Sequence, residues 1–122
     1  MEDKTAKESV AAATRKKWRQ WLKANGRKKT SVWLLLYRKN SGQKTISYAE
    51  AVEEALCFGW IDNLANRRDE ESYYLHFTPR KPKSNWSKLN ITRAERMIKE
   101  GLMMPEGQQL IDLAKEDGRW KS

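Results

Sequence analysis

"SYAEAVEEALCFGWIDNLANRRDEESYYLHFTPR", residues 47–80, sets the order of elements around which the remaining chain has to fit. Ser47 with Glu50 three residues later is a capping box, in which the serine hydroxyl and the glutamate carboxylate each accept a backbone N–H that the first helical turn leaves unpaired. It opens a helix. Ala51, Val52, Ala55, Leu56 and Phe58 give that helix an apolar face, which leaves Glu50, Glu53 and Glu54 as its expected solvated side. Gly59 ends it. "WIDNLANR" (60–67) then reads as a strand, "RDEES" (68–72) as a turn and "YYLHFT" (73–78) as a further strand. Two short strands joined this closely pair as an antiparallel hairpin.

Upstream, "SVWLLLYRK" (31–39) is apolar at consecutive positions from Val32 to Tyr37, as befits a central strand covered on both faces or nearly so. Before it, Ala11, Thr14, Trp18, Trp21, Leu22 and Asn25 recur at helical steps, so a basic helix is expected over about 8–25, stopped at Asn25-Gly26. Downstream, Pro79 and Pro82 each remove a backbone donor and push the preceding residue toward extended backbone, which makes 79–89 a stiff loop and delays any helix until after Trp86. Helices are expected over about 91–117. The first is capped by Asn90 or by Thr92 with Glu95, has Ala94, Met97 and Ile98 as its stripe, and ends at Gly101. The second has Pro105 in its first turn and Leu110, Ile111, Leu113 and Ala114 for packing. The order helix, strand, helix, strand, strand, helix, helix predicts an α+β domain over 1–122, with a small, mainly antiparallel three-stranded sheet packed with about four helices.

A chain of 122 residues with six Trp, four Tyr and two Phe is large enough to bury a core without staples. Its mean hydropathy of −0.93 requires the remaining surface to be polar. Cys57 is the only cysteine and His76 the only histidine, which excludes an internal disulfide and a cysteine-based zinc site. No apolar run approaches the length of a membrane span and no secretory leader opens the chain, so a cytoplasmic protein is expected. The net charge of +9 is concentrated at 1–30 (+7) and 79–96 (+5), and favours anionic partners without naming one.

Few patterns carry chemistry. Cys57 and His76 are formally a dyad, but the cysteine sits near the C-terminal end of its helix, where no positive dipole lowers a thiol pKa. Neither G-x-G-x-x-G nor G-x-x-x-x-G-K-[ST] occurs, so nucleotide hydrolysis has no support. Asp62, inside a strand, needs a partner if buried; the candidates are an ion pair with Arg80 or Arg67, a turn cap, or a polar pocket shared with Arg80 and Trp86. The loop "FTPRKPKSNWSKLN" (77–90), with Arg80, Lys81, Lys83, Trp86 and Lys88, is either a solvated connection or an anion-binding one.

"TISYAEAVEEALCFGWIDN" (45–63), "RDEESYYLHFTPRKPKSNWSKLN" (68–90), "AERMIKEGLM" (94–103) and "DGRW" (117–120) together resemble the YdeI/OmpD-associated family, also called bacteriocin-protection proteins, from about Trp18 to Trp120. The signature positions carried over are Gly59, Trp60, Ile61, Asp62, Phe77, Thr78, Pro79, Arg80, Pro82, Ser84, Trp86, Ser87 and Asn90. None of them has a catalytic role. Relatives often have Gly or Ser in place of Asn63, and many continue past DGRW into a further helical segment. The resemblance implies a bacterial protein that protects indirectly against bacteriocins or antimicrobial peptides, and it makes an Asp62–Arg80 contact the expected use of those residues. Direct capture of cationic peptides is disfavoured by the chain's own charge.

The expected function is therefore non-enzymatic binding of a protein partner or small anion, with no cofactor and no metal. Candidate binding residues are Trp60, Asp62, Thr78, Arg80, Lys81, Lys83, Ser84, Trp86, Lys88 and Asn90. The alternative is sequence-tolerant nucleic-acid binding through the N-terminal helix (Arg15, Lys16, Arg19, Lys23) and the basic loop, expected to be weak and salt-sensitive. An enzyme of unrecognised chemistry stands third.

Overall fold

The computed structural model describes residues 9–121. The hairpin forms as expected: β3 (Trp60–Arg67) and β4 (Ser72–Pro79) pair antiparallel, with Trp60 opposite Pro79 and Asp62 opposite Phe77. The 68–71 connection is held by Asp69, whose carboxylate accepts from the Glu71 N–H and the Ser72 hydroxyl, both at 2.8 Å. Asn63 is a bulge in β3, the extra residue between the Asp62 and Leu64 pairings.

Among the described residues the sheet has four strands, not three. Ser9–Ala11 forms β1, parallel to β2 (Val32–Tyr37), and the order across the sheet is β1, β2, β4, β3. The helix expected from about residue 8 starts at Arg15, and residue 8 itself lies outside the described residues. Apolar spacing runs straight through Val10 and Ala11. The change of element comes from Thr14, whose hydroxyl accepts the Lys17 N–H and caps α1 (Arg15–Asn25). β2 is central and its coverage is unequal. Val32, Leu34 and Leu36 are fully buried while Trp33, Leu35 and Tyr37 are half-buried, with the Trp33 ring packed on His76 at 4.4 Å.

Among the described residues four α-helices complete the α+β fold. Trp18 anchors α1, stacked on Trp21 and against Phe77, with its indole N–H given to the Ala51 carbonyl at 3.0 Å. α2 (Tyr48–Cys57) carries the predicted capping box between Ser47 and Glu50. Gly59 follows at φ 78°, and a Cβ there would stand 3.2 Å from the Glu106 carbonyl oxygen, so left-handed backbone and close packing both require glycine. α3 (Lys88–Lys99) begins earlier than predicted. Ser87 is the cap, accepting the Asn90 N–H, while Thr92 instead turns its hydroxyl back to the Lys88 carbonyl. Its buried stripe is Ile91, Ala94 and Met97, and Ile98 is exposed. α4 (Pro105–Glu116) starts at the predicted proline and buries Gly107, Ile111 and Ala114.

The glutamates of α2 overturn the solvated-face expectation. Glu53 and Glu54 are 4% and 3% exposed. Glu54 takes Arg15 and Arg19, the latter at 2.8 Å, and Glu53 takes Arg15 at 3.0 Å and Arg96 at 2.8 Å. With α1 on one flank and α3 on the other, α2 is covered from Ala51 to Cys57, and the Glu53 and Glu54 carboxylates persist inside because three guanidiniums meet them. Among the described residues no helix is long and apolar enough to cross a membrane, and no group of acidic, histidine or cysteine side chains is arranged to hold a metal.

Candidate anion-binding site

The proline loop folds over Arg80 at the end of β4. The Arg80 N–H donates to the Gly59 carbonyl at 2.8 Å, which ties the loop to the turn between α2 and β3. A turn from Lys81 to Ser84 (3.1 Å) then sends the chain back so that Arg80 Nη2 reaches the Asn85 carbonyl at 2.7 Å. The guanidinium lies flat on the Trp86 ring, 3.9 Å from its centre. Trp86 in turn packs edge-on against Trp120, at 5.0 Å.

Arg80 is 8% exposed, and among the described residues no carboxylate pairs with it. Its Nε is sealed from solvent without an acceptor, and the hydroxyl of Ser84 in the same loop is buried without a partner. A second guanidinium stands close by. Arg119 donates to the carbonyls of Ser84 and Pro82, and pairs with Asp117 at 2.7 Å. Burial first, and then the charge of Arg119, pull the Arg80 pKa down from its ordinary value to about 10. A buried cation opposed by another cation, with spare donors around it, is an arrangement that an anion would complete.

The expected Asp62–Arg80 ion pair does not form. Asp62 sits opposite Phe77, three residues before Arg80, which at strand rise is roughly 10 Å back along β4. Its carboxylate accepts instead from the Tyr48 hydroxyl at 2.6 Å. Asn90 joins the same neighbourhood by accepting from Arg93 at 2.9 Å, and the Arg93 guanidinium lies 5.7 Å over the Tyr48 ring. The candidate residues thus divide: Arg80, Ser84 and Trp86 meet in the loop, while Asp62 and Asn90 converge on Tyr48.

The others have separate roles. Trp60 is a core residue whose indole N–H donates to the Gly26 carbonyl at 3.1 Å. Thr78 accepts from the bulge residue Asn63 at 2.9 Å, and Lys81, Lys83 and Lys88 are exposed around the loop. Cys57 and His76 do not form a dyad: the thiol donates to the Glu53 carbonyl inside the core and burial pushes its pKa up to about 11, while His76 Nδ1 lies 2.6 Å from Asn63 on the sheet. Arg119 and Tyr48 were not among the sequence candidates. The Arg and Trp of "DGRW" echo those of the loop, a signal that could have pointed to Arg119, whereas nothing in the sequence distinguishes Tyr48 as a partner of Asp62.

A family model described as a domain of unknown function (DUF8412) matches residues 10–110, which includes the whole proline loop but not Arg119 or Trp120. No curated protein and no solved structure matches the chain.

Proposed function

The chain belongs to the DUF8412 family, and from that premise we propose that it is a non-enzymatic binding protein that receives a small oxyanion, or the anionic group of an acidic partner, at Arg80, Ser84 and Arg119. The observation that carries this reading is the buried Arg80 guanidinium, which among the described residues has no carboxylate partner and an unused Nε–H. An acceptor oxygen bound there would take the Nε–H and the Ser84 hydroxyl together, replacing two unsatisfied groups by charge-assisted hydrogen bonds. Both atoms are sealed, so access requires Arg119 to swing off the carbonyls of Pro82 and Ser84. It then supplies a second cation to the same anion.

The nucleic-acid reading ranks below this one because Arg15 and Arg19 are committed to Glu53 and Glu54, which leaves the basic helix with fewer groups for phosphates. The resemblance to the YdeI/OmpD-associated family extends the reading to a protective role in bacteria, exerted through an anionic partner, since a chain at +9 repels cationic peptides. Titration with inorganic phosphate, sulfate and acetate, followed by amide chemical shifts, tests the site. Saturable binding of about millimolar strength with shifts at 80–86 and 117–120 is expected, and Ser84→Ala weakens it. Shifts confined to other surfaces would remove the reading.

A further inference from the structure

At the opposite end of β4 from the Arg80 loop, a groove of about 460 Å³ opens where β2 ends and α2 begins. Its lining includes Tyr48, Tyr73, Ile46, Arg38 and Lys39. Tyr73 shares its sheet face with Leu36 opposite it, whereas Tyr37 contributes backbone there and turns its ring to the other face of the sheet. The rings of Tyr48 and Tyr73 each have a guanidinium over them. Tyr48 gives its hydroxyl to Asp62 and lies under Arg93, while Tyr73 lies under Arg38, whose guanidinium carbon is 5.2 Å from the ring centre.

The charges of this groove are unequal. Arg38 and Lys39 are both exposed, and among the described residues neither makes an ion pair with a carboxylate. Glu50 is the acidic lining residue and is already engaged: one oxygen accepts the Ser47 N–H at 2.9 Å in the capping box, and the other lies 3.9 Å from Arg15. Two phenol rings with Ile46 beside them suit a flat apolar body, and a small inorganic anion would leave them unused. Two cations that no described carboxylate pairs with, one of them stacked on Tyr73, suit an anionic substituent, and an uncharged aromatic would leave their charge unused. The volume falls at the small end of the range for ligand pockets, about 300–1,000 Å³.

We propose that the groove binds a small aromatic anion, a planar body of one or two rings bearing a carboxylate or a phosphate. The rings of Tyr48 and Tyr73 pack against its body and Arg38 and Lys39 hold its charge. Asp62 is a positioning residue that fixes the Tyr48 wall. This site is separate from the Arg80 loop and does not depend on it.

The test uses the full chain and four probes, 1-naphthoate and 1-naphthyl phosphate against 1-naphthalenemethanol and inorganic phosphate, read by amide chemical shifts. Both aromatic anions are expected to bind saturably, with shifts at 37–39, 45–50 and 73, and about tenfold more tightly than either control at those amides. A preference between the two aromatic anions identifies carboxylate or phosphate as the group held. The double variant Arg38→Gln, Lys39→Gln, at exposed positions where the fold is undisturbed, should weaken both about tenfold, while Arg80→Met leaves them unchanged. Tyr73→Leu should remove the advantage over inorganic phosphate. Absence of saturable binding, equal binding of a control, or binding indifferent to the double variant overturns the proposal. Loss in Arg80→Met would do so as well, by moving the ligand to the other site.

Discussion

Arg80 is a basic residue whose burial costs stability in the unliganded protein. Its folded pKa lies near 10, below the ordinary arginine value, so the unfolded chain holds this proton more tightly. The cost is present in full below about pH 10 and is relieved only as pH rises past it. Replacing a salt-bridged buried arginine costs several kcal/mol. Here Arg80→Met should cost less than about 1 kcal/mol, or stabilise, because the charge removed had no partner and only the Asn85 bond and the Trp86 stacking are lost. Equilibrium urea unfolding measures the difference. Tyr48 gives the opposite sign: partial burial, and then the hydrogen bond to Asp62, push its pKa up from 10 to about 12. Its contribution to stability is complete below pH 10 and is lost as pH rises toward 12. Phenolate absorbance should show Tyr48 ionising late, and Asp62→Ala should lower its pKa only in part, because burial remains. A tyrosine titration unaltered by Asp62→Ala would contradict the contact.

At the scale of elements, the parts legible in the sequence were those fixed by local chemistry. The Ser47–Glu50 box, the Gly59 stop, the hairpin and the Pro105 start each depend on residues a few positions apart, and all are present. The misread parts depend on distant neighbours. A helical stripe shows which side of α2 is apolar, but it cannot show that α1 and α3 close over the other side, so Glu53 and Glu54 read as solvated. β1 was missed because three residues beside Trp33, Leu34 and Leu35 become a strand only through pairing with β2. Of the pocket expected from Asp62, Arg80 and Trp86, the two loop residues meet because they are close in the chain, Asp62 goes to Tyr48 instead, and Arg119 arrives from beyond α4. The buried glutamates yield a prediction at this scale: Glu54→Ala should cost about 2–3 kcal/mol, less than a fully buried pair because Arg15 and Arg19 stay part-exposed and can rehydrate. Thermal and urea unfolding should both show it. A change within about 0.5 kcal/mol, the scale of an ordinary surface substitution, would mean that the network does not join α1 to α2.

For the whole molecule, the distribution of charge matters more than its sum. A chain at +9 attracts anions generally, but three of its arginines lie against buried glutamates, and the acidic 69–71 turn stands at the end of the sheet away from the Arg80 loop. Duplex DNA should therefore show a log–log salt slope no steeper than about −2 to −3, the signature of a few exposed lysines rather than a continuous basic face. A slope of about −5 that persists at physiological salt would restore the nucleic-acid reading. The account rests, above all, on the claim that Arg80 is kept for an anion and not for the fold. Its most direct test is calorimetric titration of phosphate into the native chain and into Arg80→Met, alongside urea unfolding of both. The expected result is saturable binding to the native chain, none to the variant, and stabilities within about 1 kcal/mol of each other without phosphate. A variant that binds phosphate as the native chain does, or one that loses several kcal/mol of stability in its absence, would show that Arg80 serves the structure instead.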